Sequence, residues 1–195
     1  MILRLTVLLF TFSAIAIGQT GTRRFELGEQ YTYFVQRHAY RPGDSMLGIR
    51  FDFNITKYFA LDSQFDFGLR TLPPPAVSSI NGGRLIVGRF GVKAGKRFRR
   101  FGVFGEIRPG FISASNALLL LDLQNGALRF GRLTERALNL GTAFEYRPVK
   151  HFGIRADVGD TLVFYARRQV VIPGPPGNGV NVNNVDVSMG FFYAF

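Results

Sequence analysis

The last eleven residues, Val185-Asp-Val-Ser-Met-Gly-Phe-Phe-Tyr-Ala-Phe195, constrain this chain more than any other stretch. Every second residue counted back from the end is apolar or aromatic: Phe195, Tyr193, Phe191, Met189, Val187 and Val185. The residues between them are mostly small or polar. Alternation sustained over this length predicts a β-strand with one apolar and one polar face. About 9–11 residues of such a strand cross the hydrocarbon of a bilayer when tilted. A strand of this kind needs a sheet whose two faces meet very different surroundings.

The other end of the chain supplies a compartment. Met1-Ile-Leu-Arg4 is followed by an apolar run from Leu5 to Ile17 and then by small residues and Gln19. One basic residue, a short apolar core and a small-residue cleavage site describe a secretory signal peptide over residues 1–18. Ala16-Ile17-Gly18 is the preferred cleavage tripeptide and Ala14-Ile15-Ala16 the alternative. Without residues 1–18 the 195-residue chain is 177 residues long, and its charge falls from +11 to +10 because only Arg4 is lost. Residues 19–195 make one domain. A basic chain invites a nucleic-acid reading, but an exported protein meets none, and the expected partners are anionic lipid and lipopolysaccharide. There are no cysteines and no tryptophans, while phenylalanine numbers 21, so Phe and Tyr must supply any interfacial aromatic girdle.

Eight strands follow from the period-two pattern. Strand one spans Phe25 to Val35, with Glu29 out of phase and a bulge at Gly28 or a late start expected. Strand two carries Leu47, Ile49, Phe51, Phe53 and Ile55 on one face; strand three carries Phe59, Leu61, Phe65, Phe67 and Leu69. Strand four covers Ile86 to Ala94, and strand five Phe101 to Phe111, where Pro109 predicts a bulge or an end because it cannot donate to the ladder. Residues 112–135 read as the longest connection, containing Leu118 to Leu121. Either strands five and six continue through that run, or it is a sticky loop surface. Strands six and seven start near Leu138 and Phe152, the phase failing past Asp160, and the last strand closes the set. The connections alternate long and short, as in outer-membrane barrels.

Taken together, the terminal motif Met189, Phe191, Tyr193, Phe195, the export signal and eight alternating strands resemble the small outer-membrane β-barrels of the OmpA/OmpX type. The resemblance implies an all-β, eight-stranded, antiparallel, up-and-down transmembrane barrel in the outer membrane of a Gram-negative bacterium. It also implies that the terminal motif is read by the barrel-assembly machinery. The competing fold is a soluble lipocalin-like barrel, in which the apolar face would point inward around a ligand.

With the polar faces turned inward, the lumen collects Arg50, Arg89, Lys93, Arg108 and Arg155 against Asp52, Asp62, Asp66, Glu106, Glu145 and Asp157. An eight-stranded barrel leaves room only for side chains to fill it, so a charge-paired plug is expected, with a narrow pore as the alternative. No cofactor or metal site is expected, since the two histidines, His38 and His151, fall at opposite ends. Outer-membrane enzymes that modify lipid A use His with Ser at the outer rim, and His38 with Ser45 is the one candidate pair for such chemistry. Gly43-Asp-Ser-Met-Leu47 lacks the fold and late Asp-x-x-His of the hydrolases it resembles, and Gly91 to Arg97 is one residue short of a phosphate loop. Lys96, Arg97, Arg99 and Arg100 read as a solvated basic turn. The extracellular partner of the loops is not specified by any motif.

Overall fold

The computed structural model describes residues 24–35, 43–71, 83–121, 128–165 and 181–195; the signal sequence, His38 and the Gln124-Asn125-Gly126 turn lie outside them. The described residues form eight strands and no helix: β1 Phe25–Val35, β2 Asp44–Asn54, β3 Phe59–Gly68, β4 Leu85–Arg97, β5 Phe101–Leu121, β6 Leu128–Tyr146, β7 Phe152–Phe164 and β8 Asn181–Ala194. Each pairs antiparallel with the next, and β1 pairs with β8, so the sheet closes on itself.

The register fixes the geometry of the closure. Cross-strand partners lead from Tyr146 through Ile154, Phe191, Glu29, Ile49, Phe65, Gly88 and Phe111 back to β6 at Arg136, ten residues up the strand from the start. A shear of ten over eight strands tilts them by about 40°. Each residue then climbs the barrel axis by about 2.5 Å.

The alternation resolves the choice between two barrels. The apolar positions face outward: Leu47, Ile49, Phe67, Val92, Ile107, Phe144, Met189 and Phe191 are each at least 45 % exposed, while the opposite faces are buried. A ligand-holding barrel with an apolar lumen is therefore overturned; the lumen is lined with ionised and amide side chains and has no room for an apolar guest. Phe25, Phe59, Phe101, Tyr146, Phe152 and Tyr193 gather at the end with the short turns Ile55–Tyr58, 98–100 and 147–151. The start of β1 and the end of β8 lie at that same end, where Phe195 N–H donates to Phe25 O at 3.0 Å.

Several local expectations change. Glu29 needs no bulge: β1 runs unbroken through it, paired with Ile49 and Phe191, and its carboxylate stands on the outer face. Pro109 neither ends nor bulges β5. The ladder to β4 skips Phe90 and Gly91 and resumes in the same register, while Pro109 keeps its partner Leu138 on β6. A ring that donates no N–H loses hydrogen bonds on one side only. The register shift falls further along, between Ala114 and Leu118, and beyond it Leu118–Leu121 pairs with Leu128–Gly131. Residues 112–121 and 128–135 are thus a tall hairpin, not a loop. Asp160 also stays in phase on β7, facing outward between Leu140 and Val185.

Candidate functional site

The lumen is the most elaborate part of the molecule, and it is layered along the axis. At the short-turn end, Glu26 accepts from Arg97 Nη2 at 3.0 Å, from Arg147 Nη2 at 2.8 Å and from Asn54 Nδ2. Arg97 and Arg147 lie over the rings of Phe104 and Phe192, 5.1 Å and 4.9 Å from the centroids. Arg97 is the last residue of β4, with its side chain turned into the barrel mouth. It does not belong to a solvated turn, because β4 runs three residues beyond Ala94.

Above this layer, Lys93 Nζ donates to Asp52 at 2.5 Å and Glu145 at 2.7 Å. Arg155 donates to Asp52 and Asp62 at 3.0 Å each, to Asp157 at 2.8 Å and to Glu106. Arg50 reaches across the lumen to Asp157 at 2.9 Å. Higher still, Arg108 donates to Gln64 and Asn139 at 2.7 Å, and its Nη2 lies 3.0 Å from Glu106. Arg89 meets Asp186 at 2.9 Å and Thr161 at 3.2 Å, and Asp66 accepts from Gln30, Thr32 and Gln64. The long-loop end is capped by an apolar cluster, Phe34, Met46, Leu85 and Val87, with Ile112 and Ala114 against it.

All the charged residues expected inside are buried, none more than 6 % exposed. Glu26, Asp44, Glu135 and Asp186, outside the set expected from the sequence, are buried as well. Their signal was present, since each lies in phase with the inward face of its strand. Ten of the chain's 13 acidic residues are buried, but only five of its 24 basic ones among the described residues. The described outer surface is therefore strongly cationic.

Glu26, Asp52 and Glu145 bring carboxylate oxygens within 4.8 Å of one another, a spacing a metal ion could use. The Lys93 ammonium already bridges Asp52 and Glu145, and Arg97 and Arg147 both reach Glu26, so the chain's own cations meet that charge. At the rim, Ser45 Oγ lies 2.7 Å from Tyr31 Oη on the outer face. His151 Nδ1 is 3.1 Å from Ala194 O at the opposite end. Met189, Phe191 and Tyr193 project outward, at 60 %, 58 % and 40 % exposure. Phe195 stacks between Phe25 and Tyr193, with centroids 6.2 Å from each.

Solved structures share this architecture. The attachment invasion locus protein Ail of Yersinia pestis, solved in complex with the heparin analogue sucrose octasulfate, superposes with a TM-score of 0.54 at 12 % identity, over 88 % of this chain and 97 % of that one. Neisserial surface protein A superposes with the same TM-score at 11 % identity, over 88 % and 96 %. This is the fold of the small outer-membrane barrels. No family model and no curated protein matches the sequence. The outer-membrane barrel fold is thus held here by a sequence whose likeness to its neighbours lies in pattern, not in residue identity.

Proposed function

We propose that the protein is an integral outer-membrane barrel of a Gram-negative cell, built as a closed plug that holds its long-loop end at the cell surface for interaction. The observation that carries this reading is the lumen. Five buried cations from four strands cross-link carboxylates and amides from six, under an apolar cap, and fill the described lumen. The apolar outer band supports a bilayer as surroundings, with Phe and Tyr at its edges. Residues 1–18 act as the export signal in this reading. Met189, Phe191, Tyr193 and Phe195 are presented to the assembly machinery, and lipid and lipopolysaccharide, not nucleic acid, are the surroundings.

Two outcomes test it. In an outer-membrane fraction, the protein run on a denaturing gel without boiling migrates as a compact species that shifts on heating; a soluble, unshifted protein would sink the reading. In planar bilayers the purified barrel gives no discrete conductance steps, and reproducible steps would replace the plug with a pore. The reading carries no enzymatic role, so a His38→Ala strain keeps its lipid A profile unchanged.

A further inference from the structure

The burial of acids in the lumen leaves cations on the outer wall, and three of them share one patch. Arg84 immediately precedes β4, Arg132 and Arg136 lie on β6, and all three are exposed. β5 runs between them. Ser115 N–H donates to Arg84 O at 3.2 Å and Ser115 Oγ accepts from Arg84 N–H at 2.9 Å, while Arg132 Nη1 donates to Ser113 Oγ at 3.2 Å. Ser113 Oγ in turn lies 2.9 Å from Thr134 Oγ1. The outward parity of these positions is set by their inward neighbours, Leu85, Ala114, Leu133 and Glu135. Across three adjacent strands, about 10 Å wide, the wall therefore changes from hydrocarbon-like to arginine and hydroxyl. Among the described residues none of the three arginines forms an ion pair.

Height decides what such a patch would meet. Arg136 stands ten residues above Tyr146 on the same strand, about 25 Å up the axis at a 40° tilt, which is the height of the apolar band of an outer-membrane barrel. Thr134 and Arg132 stand about 5–10 Å higher. Below it the wall returns to apolar side chains, Phe111 on β5 and Leu138 two residues down β6, while Phe164 on β7 stands beside Arg136. The patch is thus at headgroup level in the outer leaflet. Guanidinium groups bind phosphate oxygens through paired N–H donors, and hydroxyls complete the shell.

Resting on the outer-membrane reading above, we infer that Arg84, Arg132 and Arg136, with Ser115 and Thr134, form a binding site for the phosphate groups of the outer-leaflet glycolipid, the buried Ser113 hydroxyl holding Arg132 from beneath. The acyl chains of that lipid lie against Phe111 and Leu138, on the hydrocarbon side of Arg136. The tall β5–β6 hairpin carries this wall beyond the hydrocarbon, which gives the extra height a use.

The test uses the full mature barrel, folded in neutral detergent micelles and titrated with bisphosphorylated lipid A. Wild-type protein binds it, and the Arg84→Gln/Arg132→Gln/Arg136→Gln variant binds at least tenfold more weakly, while Lys at the same three positions restores only part of the affinity, the charge without the paired donors. Lipid A stripped of both phosphates binds wild-type protein as weakly as the triple Gln variant does. An excess of inorganic phosphate does not displace lipid A, since the acyl contacts are missing. Equal binding by wild type and triple Gln variant, or undiminished binding of the dephosphorylated lipid, overturns the inference. Because the three side chains are exposed, all variants keep the heat-shifted gel mobility. Loss of that shift in wild-type protein would defeat the outer-membrane reading itself, and the two failures stay distinct.

Discussion

Arg155 is the residue on which the lumen depends most, because four carboxylates, Asp52, Asp62, Glu106 and Asp157, all direct an oxygen at it. Removing one partner from a buried ionic group leaves charge without compensation, at about 3–5 kcal/mol. Arg155→Ala is therefore expected to lower stability by that amount, read as a fall in the urea midpoint of the detergent-folded barrel; an unchanged midpoint would show the carboxylates to be neutral or otherwise solvated. The same logic has a converse at Arg89, whose partners are Asp186 and Thr161. Arg89→Met alone destabilises, whereas Arg89→Met with Asp186→Met recovers a good part of the loss, because Asn139 and Thr161 remain bonded to each other. A double variant no better than the single would remove the pairing argument. Outside the barrel, Glu29 stands between Ile49 and Phe191, about 10 Å above the lower aromatic ring. A carboxylate there costs less than a basic side chain at the bilayer midplane would, so Glu29→Leu is expected to raise stability by about 1 kcal/mol, read as a higher urea midpoint in lipid vesicles.

At the scale of strands, close approach explains where small residues sit. A Cβ on Gly153 of β7 would stand 2.2 Å from Phe192 Cζ, so that ring lies flat on a glycine and offers its other face to Arg147. Gly153→Ala pushes the ring away and is expected to destabilise by about 1–3 kcal/mol, the usual range for overpacking; near-infrared or fluorescence probes are unnecessary, since the urea midpoint reads it directly. The β5–β6 hairpin makes the opposite prediction. Replacing residues 117–130 by a two-residue Asn-Gly turn removes the tall part beyond the Ala114–Leu118 register shift but leaves Ile112 and Ala114 on the apolar cap. The shortened protein keeps its heat-dependent gel shift, and loss of the shift would mean that the extension is needed to close the barrel. β2, β3 and β8 were legible in the sequence because each carries an almost unbroken period of two. Residues 112–135 were not, because Pro109 suggests a strand end and Ala117 to Leu121 has no polar phase to reveal its faces. Glu29 and Asp160 misled for a related reason: a charge on the apolar face reads as a fault in the strand, whereas backbone pairing carries on regardless of what the side chain meets.

For the whole molecule, strand number, closure and the composition of both faces were legible, and the terminal motif with its barrel resemblance pointed the charged face inward, although the alternation by itself does not. Alternation is symmetric, and the folded ring shows that the charged face is inside. The lumen network was half legible. Phase alone places Arg50 or Asp157 inward, but Glu26 and Asp186 are overlooked when attention follows the apolar residues, and Phe34 and Met46 escape because an inward apolar residue breaks no visible rule. The pairs that cross the lumen share one further property: their partners are far apart in the chain, 107 residues for Arg50 and Asp157, 97 for Arg89 and Asp186, and 121 for Glu26 and Arg147. Neighbouring strands can zip together by backbone bonds as soon as they meet, but these charges cannot find one another until the ring is whole. A sheet still open along the β1–β8 seam would keep one face wetted by water and the other bathed in lipid. Shutting that seam is then a drying step, in which the last water leaves an ionic interior all at once, and a chain delayed at that point would be held open by its own hydration.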